Sequence, residues 1–257
     1  MISPLRIFRL ILLFVLFFGI FLYATPSIPI LCYHRFAPKI NDSMTIKTKT
    51  FDSQLQWLHA NGYTVISLET AVEYIQGGIK SIPPKSIVIT VDDGHKSVYT
   101  DMAPLILKYK VPITLFIYPS AISNATYAMT WDQLRQLEAS KLFQVESHTY
   151  WHPNFKRERK RLSSQEYEKF VTIQLIKSKS VLEKKMGHPI KYLAWSFGIY
   201  DSDLLLKAKD AGYLMAFSID NHNAKAGINT MAQPRYMILD GYDLKRFESI
   251  VSGKEDK

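Results

Sequence analysis

A single cysteine, Cys32, stands in the 257-residue chain, so no intramolecular disulfide can form even in an oxidising compartment. Its neighbours Ile30, Leu31 and Tyr33 mark a buried strand, where a lone thiol behaves as a small apolar side chain. Acidic residues are scarce at the start, with only Asp42 and Asp52 before Glu69. No internal repeat and no low-complexity linker divides the chain, which leaves one catalytic-sized domain as the expectation. The longest apolar run, Leu10 to Ala24, falls short of the roughly 20 residues that a spanning helix needs.

That run has a meaning of its own. Arg6 and Arg9 precede it, giving the basic n-region and apolar h-region of an export signal. Residues 1–27 are therefore expected to be a signal peptide or a retained N-terminal membrane anchor. Leu22-Tyr23-Ala24 offers a fair cleavage site, and both outcomes stay open. Either one places the body, residues 28–250, outside the cytoplasm, in the periplasm or cell envelope and possibly anchored to the inner membrane. A polar tail, 251–257, follows.

With 47% hydrophobic residues the chain can bury one substantial core, and its net charge of +9 is a moderate excess. Much of the excess lies in Lys156 to Arg161. This stretch is read as a solvated loop before a helix rather than a patch for anionic polymers, lipid head groups or nucleic acid. No nucleic-acid partner is expected of an exported chain.

Apolar runs rich in β-branched and aromatic residues recur at 29–33, 63–67, 87–91, 112–118, 143–146, 192–197, 213–219 and 236–239. Most read as strands buried on both faces. Helical stretches lie between them. Thr130 with Gln133, and Ser163 with Glu166, have capping-box spacing. Tyr167, Phe170 and Val171 share a face, Gly187 is placed to end that helix, and Asp201 can cap a shorter one. The alternation predicts an α/β fold with a parallel sheet or (β/α) barrel.

In such folds the loops after the strands gather on one face. Asp92 and Asp93, closing the run Ile87 to Val91, would lie there. Adjacent carboxylates repel unless a cation holds them, and a divalent metal is the common remedy. Ser147 to Pro153 (SHTYWHP) follows another strand end, and His148 and His152, four residues apart, are expected to face one side of a helical turn and reach one ion. Alone, an Asp-Asp-Gly is usually a turn and a His-x-x-x-His usually two unrelated histidines, so neither motif suffices.

Together, TVDDG (90–94), SHTYWHP, AWSFGIYD (194–201) and QPRYMI (233–238) resemble, in order and rough spacing, polysaccharide deacetylases of the NodB-homology type, carbohydrate esterase family four. The likeness spans about residues 28 to 250. ILCYHRF, residues 30–36, resembles the Tyr-His motif of the poly-β-1,6-N-acetylglucosamine deacetylase branch, and no Leu-x-His follows Phe197. The resemblance implies a distorted (β/α) barrel and a metal-dependent N-deacetylase. In that scheme Asp93, His148 and His152 hold one divalent ion, zinc first, with nickel, cobalt or iron(II) as alternatives. Asp92 is the general base and His34 the acid on the far side of the tetrahedral intermediate, with His222 in reserve. The implied partner is an N-acetylglucosamine polysaccharide, with the membrane through residues 10–24 if the signal stays.

Arg235 could hold Asp92 ionised or form a structural pair. Trp131, Tyr150, Trp151, Trp195 and Tyr200 are placed to stack on sugar rings, Trp151 foremost. His59, His95 and His188 read as surface or rim residues, with His95 able to border the cleft. Three departures from the family pattern, Val91, Ser196 and Glu146, bear on groove width more than on the metal site. Competing readings are a peptidoglycan or chitin-oligomer deacetylase, a non-catalytic carbohydrate binder, and a tethered basic binding protein.

Overall fold

The computed structural model describes residues 27–40 and 42–254. Residues 1–26, which carry the export pattern, lie outside it; among the described residues no helix is long and apolar enough to cross a membrane. An eight-stranded sheet organises the chain: β1 (Ile30–Tyr33), β2 (Thr64–Val65), β3 (Ser86–Asp92), β4 (Ile113–Ile117), β5 (Phe143–Ser147), β6 (Tyr192–Ala194), β7 (Met215–Phe217) and β8 (Tyr236–Met237). Every pairing is parallel, in the order β7-β6-β5-β4-β3-β1-β8, with β2 beside the start of β3. The two ends of this path meet where Phe217 and Gln233 bridge in parallel. A distorted parallel barrel results, as the family resemblance implies; the alternation of apolar runs predicts a parallel sheet or barrel.

Strand periodicity sends successive side chains to opposite faces. On β3, Ile87, Ile89 and Val91 belong to the large cluster formed with the helices, whereas Val88 joins Ile30, Phe116, Tyr192 and Phe217 in a second cluster. The residues that continue this second face are Cys32, Thr90 and Asp92, all buried. The interior is thus apolar below and polar above, so a carboxylate is delivered to the upper end of the barrel.

Helices α1 (Trp131–Ala139), α2 (Phe155–Arg161), α3 (Ser164–Thr172), α4 (Ser178–Met186) and α5 (Ser202–Asp210) are among those packing outside. Both predicted capping boxes form, on Thr130 with Gln133 and on Ser163 with Glu166. Gly187 closes α4 at φ +83°, and Asp201 caps α5. The basic stretch differs from expectation. It is helix α2 rather than a loop, because the Asn154 side chain accepts the Arg157 N–H and starts it. Several of its charges are also answered locally. Arg161 pairs with Glu158, and Arg159 reaches Asp203 and Asp201 while lying over the Tyr167 ring.

One irregularity sits beside the upper rim. Strands β5 and β6 pair only at Ser147 and Leu193, and the gap below is bridged by a side chain. Glu146 accepts the backbone N–H groups of Lys191 and Tyr192, each at 2.8 Å, and the Gln144 amide at 2.9 Å. Burial pushes its carboxyl up to about 8, against these donors. In the window from about 4.5, its ordinary value, to about 8, the folded chain keeps a proton that the unfolded chain releases, so stability declines as pH rises through that window. Glu146→Gln, which preserves the bridging shape without the charge, is expected to flatten this slope. Urea midpoints at pH 5 and pH 8 for both proteins measure the difference, and parallel slopes would refute the assignment.

Candidate metal and hydrolytic site

Strand ends bring the site together. His34 follows β1, Asp92 ends β3, His148 follows β5, Trp195 follows β6 and Ile219 lies just past β7. They wall one pocket of about 340 Å³, shared with Arg35, Asp93, Tyr118, His152, Phe197 and Met237.

Asp92 and Asp93 meet opposite fates. Asp92 is buried in the barrel, and Arg235 grips it at both oxygens, Nη1 to Oδ1 at 2.8 Å and Nη2 to Oδ2 at 2.7 Å. Arg235 is itself fully buried. It donates to the Ser218 carbonyl and the Thr90 hydroxyl, and its guanidinium lies 5.1 Å from the Phe116 ring centre. The Cys32 thiol adds a donor 3.4 Å from Asp92 Oδ2. Burial favours the neutral Asp92, but the Arg235 charge and hydrogen bonds hold its carboxyl well below the usual range.

Asp93 turns the other way because its backbone is left-handed, φ +75°. Gly94 continues the turn at φ +73°, and a Cβ there would come within 3.0 Å of Ile117 and 3.1 Å of Ile122. This close approach, with the positive φ, accounts for glycine. The turn aims Asp93 Oδ1 at His148 Nε2 and His152 Nε2, 3.7 Å from each. These distances are too long for hydrogen bonds, and Oδ1 is buried without a partner.

The histidines are set for the same point. His148 Nδ1 lies 2.8 Å from the Ala194 carbonyl, so that nitrogen carries the proton and Nε2 presents a lone pair. Burial lowers His152 to about 4, which keeps its ring neutral. One ligand atom from each of Asp93, His148 and His152 lies within 4.8 Å of the others. An orphaned carboxylate oxygen facing two imidazole nitrogens is a donor set that fits a divalent cation and leaves positions open.

The connecting loop is not the helical turn expected from His-x-x-x-His. Thr149 and His152 have φ of +66° and +58°, and the ring centres still come within 4.7 Å. Buried side chains hold this strained path. Gln174, in the π-helical turn Ile173–Lys177, accepts the N–H groups of Tyr150 and Trp151 at 3.2 Å each, and Ser178 donates to the Thr149 carbonyl at 2.8 Å.

Other expected residues fall in varied places. His34 lines the pocket, with one ring atom grouped within 4.8 Å of Asp92 and Cys32. Its Nδ1 is buried without a partner. Burial lowers its pKa, while the two aspartates pull upward. His222 is exposed and is not among the pocket's walls. Trp195 is buried and donates its indole N–H to the Met231 carbonyl, so it walls the pocket instead of offering a free face. Trp151 is 43% exposed but stands outside the pocket, edge-on to Phe170 and Tyr150. Tyr150 is partly covered by Lys177, Trp131 has Lys185 over its ring, and Tyr200 bonds Asp220. His188 pairs with Glu138, and His95 lines not the reaction pocket but a neighbouring cavity that shares Arg35, Asp93 and Tyr118 with it.

Sequence reasoning passed over Arg35 and Phe197. Phe197 is 56% exposed, has φ +55°, and sets its ring 4.4 Å from that of His152. Both sat inside quoted motifs, and their neighbours His34 and Gly198 were the available signal. A Cβ on Gly198 would fall 2.4 Å from Ile219, so glycine there keeps the pocket wall in place.

Comparison with known proteins places this geometry. The chain is 25% identical over 200 residues to the poly-beta-1,6-N-acetyl-D-glucosamine N-deacetylase of Staphylococcus aureus strain MRSA252, covering 76% of this chain and 68% of that protein. It is 23% identical over 248 residues to the protein of the same name from Escherichia coli K12, but covers 83% of this chain and only 36% of that protein. In fold it is similar to the Streptococcus pyogenes deacetylase PplD, with a TM-score of 0.78 at 21% identity, covering 89% of this chain and 99% of that one. Residues 80–216, which hold the aspartate pair, His148, His152 and strands β3 to β6, match the sequence model of the polysaccharide deacetylases, and the chain belongs to that family.

Proposed function

We propose that the chain is a metal-dependent N-deacetylase of N-acetylglucosamine polysaccharide, with poly-β-1,6-N-acetylglucosamine as the preferred polymer. The shared name of the S. aureus and E. coli relatives supports that choice of polymer. We propose further that it works in the periplasm or cell envelope, held to the membrane by residues 10–24 if they are retained, as the n- and h-region pattern suggests.

The observation that carries the reading is the unpartnered Asp93 Oδ1 between two imidazole nitrogens, beside a second aspartate already neutralised by Arg235. A divalent ion held by Asp93, His148 and His152, zinc first, would supply Lewis acidity to the acetamide carbonyl and acidify a nearby water. Asp92 takes the proton of the attacking water. Because Arg235 keeps it ionised and weakly basic, it suits a water that is already acidic. His34 lies beside Asp92 rather than across the pocket, and burial favours its neutral form. It therefore receives the proton Asp92 has taken and passes it to the leaving nitrogen. The new C–O bond forms from water, the C–N bond breaks as nitrogen is protonated, and acetate and a free glucosamine amine result. Trp195 and Ile219 wall the space where the acetyl group would lie, and Trp151, with Tyr150 beside it, would meet the polymer outside.

Acetate release from poly-β-1,6-N-acetylglucosamine tests the reading, with chitin oligomers and peptidoglycan as competing substrates. Chelation is expected to abolish release and added zinc to restore it, while Asp92→Asn lowers kcat by about a thousandfold. Release that survives both treatments would overturn the mechanism.

The Arg235 pair makes a separate prediction. A carboxyl depressed in the folded state contributes stability that is present above its ordinary range and is lost as pH falls toward the folded value. Arg235→Gln strands the buried Asp92 charge and is expected to lower stability at pH 7 by about 3–5 kcal/mol, and to move the acid limb of kcat/KM to higher pH. An unmoved acid limb would show that Arg235 has a packing role alone.

A further inference from the structure

A second cavity of about 400 Å³ opens beside the reaction pocket, walled by Arg35, Asp93, His95, Tyr118 and Tyr127. Arg35, Asp93 and Tyr118 wall the reaction pocket too, so the two spaces share a partition. The hydrolytic steps above use neither Arg35, His95 nor Tyr127.

One side of the cavity is a flat aromatic wall. Tyr127 is 43% exposed, and its ring lies nearly parallel to His95, with 9° between planes and 6.3 Å between centres. The Tyr127 and Tyr118 hydroxyls meet at 2.8 Å. The His95 Nδ1 is engaged with the Ser97 hydroxyl at 2.8 Å. A hydroxyl-edged aromatic surface of this kind suits the apolar face of a pyranose ring.

The other side is a tethered cation. Arg35 Nη1 donates to Asp42 at 2.9 Å, which fixes the guanidinium, while Nη2 stops 4.0 Å from Asp93 Oδ2, beyond hydrogen-bond range. The carboxylates around it are already engaged. Asp42 takes Arg35, the Met44 N–H at 2.8 Å and the Thr45 hydroxyl at 3.0 Å, and Asp93 belongs to the ligand cage. An acetamide carbonyl entering the cavity can accept from Arg35 Nη2, whereas an ammonium meets the Arg35 charge; of the two carboxylates near it, Asp42 is taken by Arg35 and Asp93 would be taken by the cation of the proposed cage.

We propose that this cavity is a second sugar subsite, which takes an N-acetylated residue adjoining the one being hydrolysed and disfavours a neighbour that has already lost its acetyl group. The proposal rests on the deacetylase reading and refines its substrate. It follows that the enzyme slows beside its own products, so free amines become spaced along the polymer instead of forming blocks.

Short β-1,6-linked oligosaccharides with a defined neighbour, either N-acetylated or free amine, test it on the full chain loaded with zinc, with an N-acetylglucosamine monosaccharide as reference. The wild-type kcat/KM is expected to be about tenfold higher with the acetylated neighbour, and Arg35→Gln to erase that preference. Tyr127→Ala is expected to lower the oligomer-to-monosaccharide ratio of kcat/KM about fivefold, chiefly through KM, with Tyr127→Phe retaining most of it. Chelator-sensitive release that ignores the neighbour, or a preference that survives Arg35→Gln, would overturn the subsite while leaving the deacetylase reading in place. Absence of release from every substrate would overturn both.

Discussion

The Arg235–Asp92 pair inside the barrel constrains everything around it. Two opposite charges withdrawn from water each carry a desolvation penalty of several kcal/mol, and the structure answers that penalty at several points. Both carboxylate oxygens receive guanidinium N–H groups, and the remaining donors go to the Ser218 carbonyl and the Thr90 hydroxyl. The flat face of the cation rests near Phe116. These partners come from β3, β4, the end of β7 and the segment entering β8, so the pair is satisfied only when the first and last parts of the barrel have closed. Removing either partner therefore perturbs closure as well as chemistry.

This arrangement answers how two adjacent aspartates can share a strand end. Asp92 obeys the strand's alternation and enters the polar top of the interior, where a permanent cation waits. Asp93 breaks the alternation through its left-handed backbone and turns toward two imidazoles. Neighbouring carboxylates are thus given different surroundings, one fixed and charged, the other unpartnered and ready for a cation. Pushing apart the environments of two like groups is a general route to dividing roles between them.

The barrel was legible in the sequence because parallel strands buried on both faces must be apolar along their length, and Ile87 to Val91 or Pro112 to Tyr118 can be little else. Capping boxes were legible because their physics is local. The loop from His148 to His152 was not, since its two positive-φ residues are ordinary L-residues whose strain is held by distant side chains. The helical character of Lys156 to Arg161 was hidden in the same way, as it depends on a cap at Asn154 and on partners in α5. Arg35 and Phe197 escaped notice because their importance lies in what they face across the pocket, and no spacing along the chain encodes that.

The support of that loop shows how the fold sustains local strain. A residue held at positive φ outside glycine costs on the order of 1 kcal/mol or more, and Thr149 and His152 each carry such a backbone. Much of the compensation comes from the π-helical turn between α3 and α4, where Gln174 accepts two consecutive loop N–H groups. Ser178, one turn on, joins the Thr149 carbonyl and Ser147 hydroxyl, while Thr149 and Ser196 link hydroxyls at 2.8 Å. The irregular turn lets helices remote from the chemistry fix where His148 and His152 point, and with them the position of any cation they share with Asp93.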